Sequence, residues 1–267
     1  MPLDKGIKYR THKRRRPLIL VTNDDGIHAD GLKALASSLA RVGDILVVAP
    51  TTEQSATSHA LSLYKPLRCD KVRKNVYGVD GTPTDCINLG VHLILKGHKP
   101  DLVFSGINRG PNLGDDIHYS GTVSAAMEGG LMGIPSVAVS VGYITRTKGE
   151  LKYGAAAAFA ARVASTVLEK GLPKGLILNV NVPSKNAREI KGLKITCLGK
   201  KNYSNIMSEN MDPRGGKYYW IHGEETGFDN IKGSDCNAIS EDHISITPII
   251  VDPTSRSFIG KMKNWRF

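Results

Sequence analysis

The sequence predicts an α/β fold with a mostly parallel sheet and helices on both faces, followed by a β-rich C-terminal extension. Short apolar segments rich in β-branched residues recur along the chain, and their continuous apolar character is typical of strands buried on both faces. Helical patterns lie between them, and this alternation indicates a parallel sheet with right-handed crossovers. After about Pro183 glycine and polar residues dominate, which marks the extension.

Five segments fit buried strands and four fit the intervening helices. The strand segments are PLILVTNDDG (17–26), DILVVAPTTEQS (44–55), PDLVFSGINRG (100–110), IPSVAVSVG (134–142) and GLILNVNVP (175–183). The helical segments are HADGLKALASSLARVG (28–43), PTDCINLGVHLILKG (83–97), SGTVSAAMEGGLMG (120–133) and KYGAAAAFAARVASTVLEKG (152–171). Thr84 or Asp85 is the expected N-cap of the second helix, and Ser120 or Thr122 lies near the start of the third.

Residues 198–241 are predicted to form an extended arm rather than a compact subdomain. KYYWIHG (217–223) and HISITPII (243–250) are typical of strands, but the segments between them are too long for a simple compact hairpin. Arms of this kind often complete a partner subunit, so we expect at least a homodimer. The alternative is a surface loop.

Composition and charge limit the class of protein. The 267 residues suit one domain over 17–267, preceded by a basic leader over 1–16 with seven Lys or Arg and one Asp. The leader is compatible with nucleic-acid binding, but a disordered, solvated leader is favoured because no nucleic-acid module follows. The cysteines lack metal-binding spacing and indicate reduced thiols in the cytoplasm. No apolar run is long enough to span a membrane.

Polar side chains follow three of the predicted strands and should meet at one edge of the sheet. Asp24 and Asp25 follow the first strand, Ser55 the second and Asn108 a third. Ligands bind outside the carboxyl ends of the strands in such sheets. Carboxylate, hydroxyl and amide oxygens suit Mg²⁺, Mn²⁺ or Ca²⁺, and a cation would offset the repulsion between the two carboxylates. Without one they would tend to share a proton. Taken singly, either Asp is more often a cap or turn residue than a ligand.

A second feature indicates a phosphate site. Ser120, Gly121 and Thr122 precede a helix, where backbone N–H groups, the helix dipole and two hydroxyls favour an anion. A capped helix with nothing bound fits these residues equally well. The neighbouring polar residues have lesser expected roles. Asp115 and Asp116 are expected to be loop or supporting residues, Glu128 a structural anchor, and His59 and His118 weaker candidates for substrate contacts.

Several common catalytic motifs are absent from the sequence. No G-x-G-x-x-G fingerprint, Walker A pattern or G-x-S-x-G elbow is present, and Ser105 has no His and Asp partners at elbow spacing. Two rival interpretations stay open beside a metal-dependent hydrolase. One is a Rossmann dehydrogenase, which the missing fingerprint disfavours. The other is a nucleotide-binding or RNA-binding regulator without turnover, which the basic leader would suit.

Five ordered stretches resemble the SurE survival-protein family. They are ILVTNDDGIHADGL (19–32), VVAPTTEQSATSHALSL (47–63), GTPTDCINLG (81–90), the segment from PDLVFSGINRG to IPSVAVS (100–140) and ISITPI (244–249). The resemblance covers roughly Pro17 to Pro248, and the basic leader departs from the family pattern. It implies a Rossmann-like core whose β-rich extension exchanges between subunits, and one divalent cation per subunit. It also implies metal-dependent hydrolysis of nucleoside 5′-monophosphates and often 3′-monophosphates, and in some members cleavage of short polyphosphate.

By motif, the resemblance implies that Asp24, Asp25, Ser55 and Asn108 are the metal ligands. Asp24 and Asp25 would also be the catalytic residues. Phosphate would contact the turn formed by Ser120, Gly121 and Thr122, with Asn112 nearby. Attack by water is preferred because no D-x-D spacing is present, although Asp25 as base or covalent nucleophile stays open.

Overall fold

The computed structural model describes residues 16–143 and 151–266. Its strands, in chain order, are β1 (Leu18–Thr22), β2 (Asp44–Pro50), β3 (Cys69–Arg73), β4 (Val76–Val79), β5 (Leu102–Arg109), β6 (Ser136–Gly142), β7 (Leu176–Pro183), β8 (Leu193–Ile195), β9 (Lys201–Met211), β10 (Lys217–Phe228) and β11 (Ile244–Ile250). Within the described residues, nine of these form one sheet in the order β3-β4-β2-β1-β5-β6-β7-β11-β8. Strands β9 and β10 pair separately.

Six helices accompany the described strands: α1 (Asp30–Leu39), α2 (Pro83–Leu89), α3 (Gly121–Leu131), α4 (Tyr153–Lys170), α5 (Asp235–Ser240) and α6 (Arg256–Met262). Helix α2 continues into a π-helical turn, Gly90–Ile94, and a 3₁₀ turn, Gly114–His118, precedes α3. A second 3₁₀ turn covers Ala187–Glu189.

Strands β4, β2, β1, β5, β6 and β7 run parallel, which confirms the predicted α/β fold. Strand β11 closes this array antiparallel to β7. The inner strands are covered on both faces, because alternate side chains enter different apolar clusters. In β1, Ile19 and Val21 pack with Leu35 of α1 and Ala160 of α4, whereas Leu20 packs on the other face, in the cluster with helices α2 and α3. Burial on both faces explains the continuous apolar runs.

Helix α2 begins earlier than the sequence suggested. Its N-cap is Thr82, not Thr84 or Asp85. The Thr82 hydroxyl accepts a hydrogen bond from the Asp85 backbone N–H, and the Asp85 carboxylate accepts one from the Thr82 backbone N–H. This reciprocal capping box places Pro83 at the first helical position, where its missing N–H costs no hydrogen bond. Ser120 is the N-cap of α3, as predicted.

The β-rich C-terminal extension contains a long antiparallel hairpin, β9–β10, whose first strand was not predicted from the sequence. A short turn at 212–216 joins the two strands. Strand β11 pairs with β7 and β8, so within the described residues the two predicted strands KYYWIHG and HISITPII do not form a hairpin with each other. The extended part covers 201–228, a shorter range than the predicted 198–241. Residues 235–240 instead form α5, whose Cys236 and Ile239 are buried against Leu113.

Residues 1–15 of the predicted leader lie outside the described residues, and only Arg16 is described. Its guanidinium donates a hydrogen bond of 2.7 Å to the Ala40 carbonyl.

Across the part of the chain that the structure describes, every helix is too short or insufficiently apolar to cross a bilayer.

Candidate active site

The carboxyl ends of β1, β2 and β5 border a cavity of about 430 Å³. Strand β1 lies between β2 and β5, so the chain leaves β1 toward one side and later returns on the other. Loops diverge at such a point and leave a crevice where ligands bind. The lining residues are Asp24, Asp25, Glu53, Ser55, Ala56, Asn108, Arg109, Asn112, Asp116, Tyr119 and Ser120. The four predicted metal ligands are therefore brought together.

Asp24 is the more buried of the paired carboxylates and is held by the start of α3. Its Oδ2 accepts a 3.0 Å hydrogen bond from the Thr122 backbone N–H, and its Oδ1 accepts one from the Thr122 hydroxyl. Burial raises the pKa of Asp24, and these hydrogen bonds oppose the rise. Gly121 makes the close approach possible, because a Cβ there would lie 3.0 Å from the Asp24 Cβ.

Asp25 is half-buried and has fewer partners. Its Oδ2 accepts a 3.1 Å hydrogen bond from the backbone N–H of Arg109. Burial, followed by the neighbouring charge of Asp24, raises the pKa of Asp25 to about 6. Both effects disfavour the charged form of the carboxylate, and they outweigh the opposing charge of Arg109.

Ser55 and Asn108 supply the uncharged oxygens. The Ser55 hydroxyl donates a 2.7 Å hydrogen bond to the Glu53 carboxylate, which leaves the oxygen lone pairs for a ligand. The Asn108 amide donates to the Gly110 carbonyl at 2.8 Å, so its carbonyl oxygen is the end left for a cation. The backbone N–H of Gln54 donates to the Asp24 carbonyl at 2.8 Å and ties the Ser55 loop to the end of β1.

The donor set fits a hard divalent cation. Within the described residues, no Lys, Arg or His forms an ion pair with Asp24 or Asp25. Burial raises the pKa of both carboxyl groups, so their charged forms are disfavoured. A cation would stabilise both in the charged form. No described group of three or more His, Cys, Asp and Glu residues could hold a metal. Two carboxylates completed by a hydroxyl and an amide oxygen favour Mg²⁺, Mn²⁺ or Ca²⁺ over softer metals.

The predicted phosphate contacts divide into two groups. Ser120 and Asn112 line the cavity. The Ser120 oxygen accepts from the Val123 N–H at 3.1 Å, which leaves its own proton for an anion. Thr122 is fully buried, and both its backbone N–H and its hydroxyl are directed to Asp24. Thr122 therefore positions Asp24 in this structure, and Gly121 admits that contact.

Four cavity residues were not singled out from the sequence: Glu53, Ala56, Arg109 and Tyr119. Each is one or two residues away from a predicted ligand or phosphate contact, and this proximity was the available signal. Asp116, predicted as a supporting residue, also lines the cavity and forms an ion pair with Lys201 at 2.9 Å. Ser105 is fully buried in β5 and is not exposed as a nucleophile.

Glu128 joins two elements beside the cavity. Its carboxylate is 2.8 Å from the His59 ring and accepts a 2.8 Å hydrogen bond from the Asn88 amide. The His59 contact, opposed by burial, lowers the pKa of Glu128. His59 is thereby anchored to α3, while His118 is exposed at the end of the 3₁₀ turn.

Comparisons with known proteins agree on one family. The family model described as survival protein SurE matches residues 19–205. A 5′-nucleotidase SurE of Geobacter sp. (strain M21) is 51% identical over 247 residues, covering 92% of this chain and 98% of the relative. One of Syntrophotalea carbinolica is 53% identical over 242 residues, covering 90% and 94%. The crystal structure of a SurE protein from Aquifex aeolicus is 41% identical, with a TM-score of 0.82, covering 92% of this chain and 98% of that one.

Proposed function

Because this chain belongs to the SurE survival protein family, we propose that it is a divalent-metal-dependent 5′-nucleotidase. It hydrolyses a nucleoside 5′-monophosphate: the oxygen of water bonds to phosphorus, the bond from phosphorus to the 5′ oxygen breaks, and the leaving oxygen takes up a proton. The convergence of Asp24, Asp25, Ser55 and Asn108 on one cavity is the observation that carries this proposal.

These four residues would hold one cation per subunit, of the Mg²⁺, Mn²⁺ or Ca²⁺ type. Such a cation, when bound, supplies Lewis acidity to phosphoryl oxygens and lowers the pKa of a bound water. The protein supplies the geometry. Thr122 fixes Asp24 through two hydrogen bonds, while Asp25 has one carboxylate oxygen outside its hydrogen bond to Arg109.

The chain also supplies groups for substrate and water. The Ser120 hydroxyl donates to a phosphate oxygen, and Asn112 presents the amide proton that its 2.8 Å bond to Ser140 leaves over. The guanidinium of Arg109 lines the same cavity and balances part of the phosphate charge. The free oxygen of Asp25 orients the attacking water. We assign the attack to water and not to Asp25.

The same chemistry extends to related substrates. Nucleoside 3′-monophosphates and short polyphosphates present the same terminal phosphate, and we include both as side activities. We further propose that the enzyme works in the cytoplasm as a homodimer or homotetramer.

The test is phosphate release from a panel of 5′- and 3′-monophosphates by the metal-stripped chain, with Mg²⁺, Mn²⁺ or Ca²⁺ and with chelator. Release from 5′-monophosphates that needs a divalent ion is expected. Asp25→Asn should lose at least about 100-fold in kcat/KM, because the negative charge of a metal ligand and an acceptor for the attacking water are lost together. Asp70→Asn, an exposed carboxylate in β3, is the matched control. Phosphate release that persists in chelator, or none with any ion, would contradict the proposal.

A further inference from the structure

We propose that the ring of Tyr119 is the surface on which the nucleobase of the substrate stacks, an inference that rests on the proposed nucleotidase function. It assigns the part of the cavity that recognises the nucleoside, beyond the metal and phosphate contacts. The substrate class it selects is a phosphomonoester bearing a planar, unsaturated base.

The exposure of the ring is the first observation. Tyr119 lines the cavity together with Asp24, Asp25 and Ser120, yet 66% of it is exposed to solvent. Among the described residues lining the cavity it is the aromatic one, and the others are polar or small. A base entering there finds one flat apolar surface. Stacking on an aromatic side chain removes apolar area of both rings from water.

Both backbone polar groups of Tyr119 form hydrogen bonds, which fix the position of the Cα atom that carries the ring. Its N–H donates to the Asp116 carbonyl at 3.0 Å, and its carbonyl accepts from the Ser58 N–H at 3.1 Å. The second bond joins the α3 side of the cavity to the loop that carries Ser55. A ring on a fixed backbone loses less freedom when a ligand binds than a ring on a mobile loop would.

The position of Tyr119 matches the layout of a nucleotide. Ser120, the proposed phosphate donor, is the next residue, and consecutive Cα atoms lie about 3.8 Å apart. In a 5′-nucleotide the base lies one sugar beyond the phosphate. A phosphate at the Ser120 hydroxyl therefore leaves the base within reach of the neighbouring ring.

The surrounding groups favour stacking without selection among bases. Asp116 is the nearest cavity carboxylate in sequence, and both of its oxygens are engaged: Tyr203 donates to Oδ1 at 2.7 Å and Lys201 to Oδ2 at 2.9 Å. Each oxygen already accepts one hydrogen bond, which makes Asp116 a weaker acceptor for the edge of a base. Stacking tolerates any base because every base has a flat face. The site therefore accepts purines and pyrimidines alike.

The experiment compares AMP with ribose 5-phosphate, which has the same phosphomonoester and no base. The measured quantity is the ratio of kcat/KM for AMP to kcat/KM for ribose 5-phosphate. In Tyr119→Leu this ratio should fall about 5- to 20-fold, through KM for AMP, because one base–ring stack is lost. GMP, CMP and UMP should follow AMP. Tyr119→Phe keeps the ring and should stay within about two-fold of the wild-type ratio.

Tyr64→Leu is the matched control, since Tyr64 is fully exposed and does not line the cavity. An unchanged ratio in Tyr119→Leu, with the melting temperature preserved, would overturn the inference. If the wild-type chain released no phosphate from any nucleotide, the proposed function would fail separately. Calorimetric AMP binding to metal-free wild-type and Tyr119→Leu chains would then decide the stacking: weaker binding by the variant supports it, and equal affinity overturns it.

Discussion

Asp24 and Asp25 are adjacent in sequence but differ in their surroundings. Asp24 is enclosed by Thr122 and Gly121 at the start of α3, and its position is set by two hydrogen bonds. Asp25 has one partner, the Arg109 N–H, and faces the cavity. In the absence of a cation the pair costs stability, because burial and mutual repulsion raise the pKa of Asp25 to about 6. The paired carboxylates lower the stability of the metal-free fold, and a bound cation would offset that loss.

This cost predicts that Asp25→Asn stabilises the metal-free protein. A folded-state pKa of about 6, above the ordinary 3.8, means that the fold holds a proton which the unfolded chain releases. The penalty is absent below about pH 4, grows as pH rises toward 6 and is complete above it. At pH 7.5 with chelator we expect a gain of about 1–2 kcal/mol, reduced from the full shift by partial exposure.

Urea unfolding at pH 4.5 and pH 7.5 measures this gain. The advantage of Asp25→Asn should shrink at the lower pH, and Mn²⁺ should stabilise the wild type more than the variant. Asp70→Asn should show neither trend. A variant that is less stable than the wild type at pH 7.5 in chelator would refute the electrostatic explanation.

Sequence reasoning located the cavity residues that follow strands and missed those that depend on other contacts. Asp24, Asp25, Ser55 and Asn108 were found because carboxyl ends of parallel strands share an edge. Their role as metal ligands stays a prediction. The use of Thr122 on Asp24 was not foreseeable, since it depends on the approach of α3 to β1 at Gly121. Tyr119 carries no pattern of its own, because a single exposed ring has no periodicity.

At the scale of elements, the start of the β9–β10 hairpin forms an ion pair with the 3₁₀ turn that precedes α3. Lys201 in β9 has a side chain only 5% exposed, and its Nζ lies 2.9 Å from Asp116 and 3.0 Å from Glu225. Burial alone would lower the pKa of Lys201, but hydrogen bonds to Tyr203 and Asp116 raise it overall. Asp235 adds a second fastening, because it accepts from the backbone N–H groups of Gly114 and Gly199.

We therefore expect Lys201→Met to destabilise the protein by about 2–4 kcal/mol, since Asp116 and Glu225 would be left close together without a cation. Urea unfolding of the variant measures the loss. Lys217→Met is the matched control, because Lys217 pairs with Glu209 on the exposed part of the same hairpin and should cost less than about 1 kcal/mol. Equal losses in the two variants would show that the buried cluster has no special role.

The buried strands and helix α1 could be predicted from the sequence, whereas three exposed or short strands could not. Strands buried on both faces could be predicted from their continuous apolar runs, and α1 from its periodic apolar stripe. The edge strand β3 and its neighbour β4 were missed, because CDKVR is mostly exposed and VYGV is short. Strand β9, the first strand of the hairpin, was missed because KNYSNIMSENM has few β-branched residues.

On the scale of the whole molecule, the β9–β10 hairpin presents apolar side chains that the described chain does not cover. Trp220 is 63% exposed and Ile221 is 89% exposed. Met207, Met211, Tyr218 and Tyr219 on the two strands are exposed as well. Successive strand residues point to opposite faces, so both faces of the hairpin carry exposed apolar side chains. Exposed apolar area of this kind marks an interaction site, and exchange of an arm about a two-fold axis would bury it on both subunits. The predicted oligomer depends on this surface.

We expect at least a dimer by light scattering at micromolar concentration. The double substitution Trp220→Glu and Ile221→Glu should shift the mass toward the monomer, because charges replace apolar area at the contact. Tyr64→Glu, on an exposed tyrosine outside the hairpin, is the control and should leave the mass unchanged. A wild-type chain that is monomeric under these conditions, or an unchanged mass in the double variant, would exclude this surface as the interface.

Four side chains from three strand ends are proposed to form one metal centre. An anomalous difference map from a crystal soaked in Mn²⁺ would locate the bound cation. We expect one peak in the cavity, about 2.0–2.6 Å from oxygens of Asp24, Asp25, Ser55 and Asn108. Peaks only at other sites, or a cavity peak that any of these four side chains fails to reach, would contradict it.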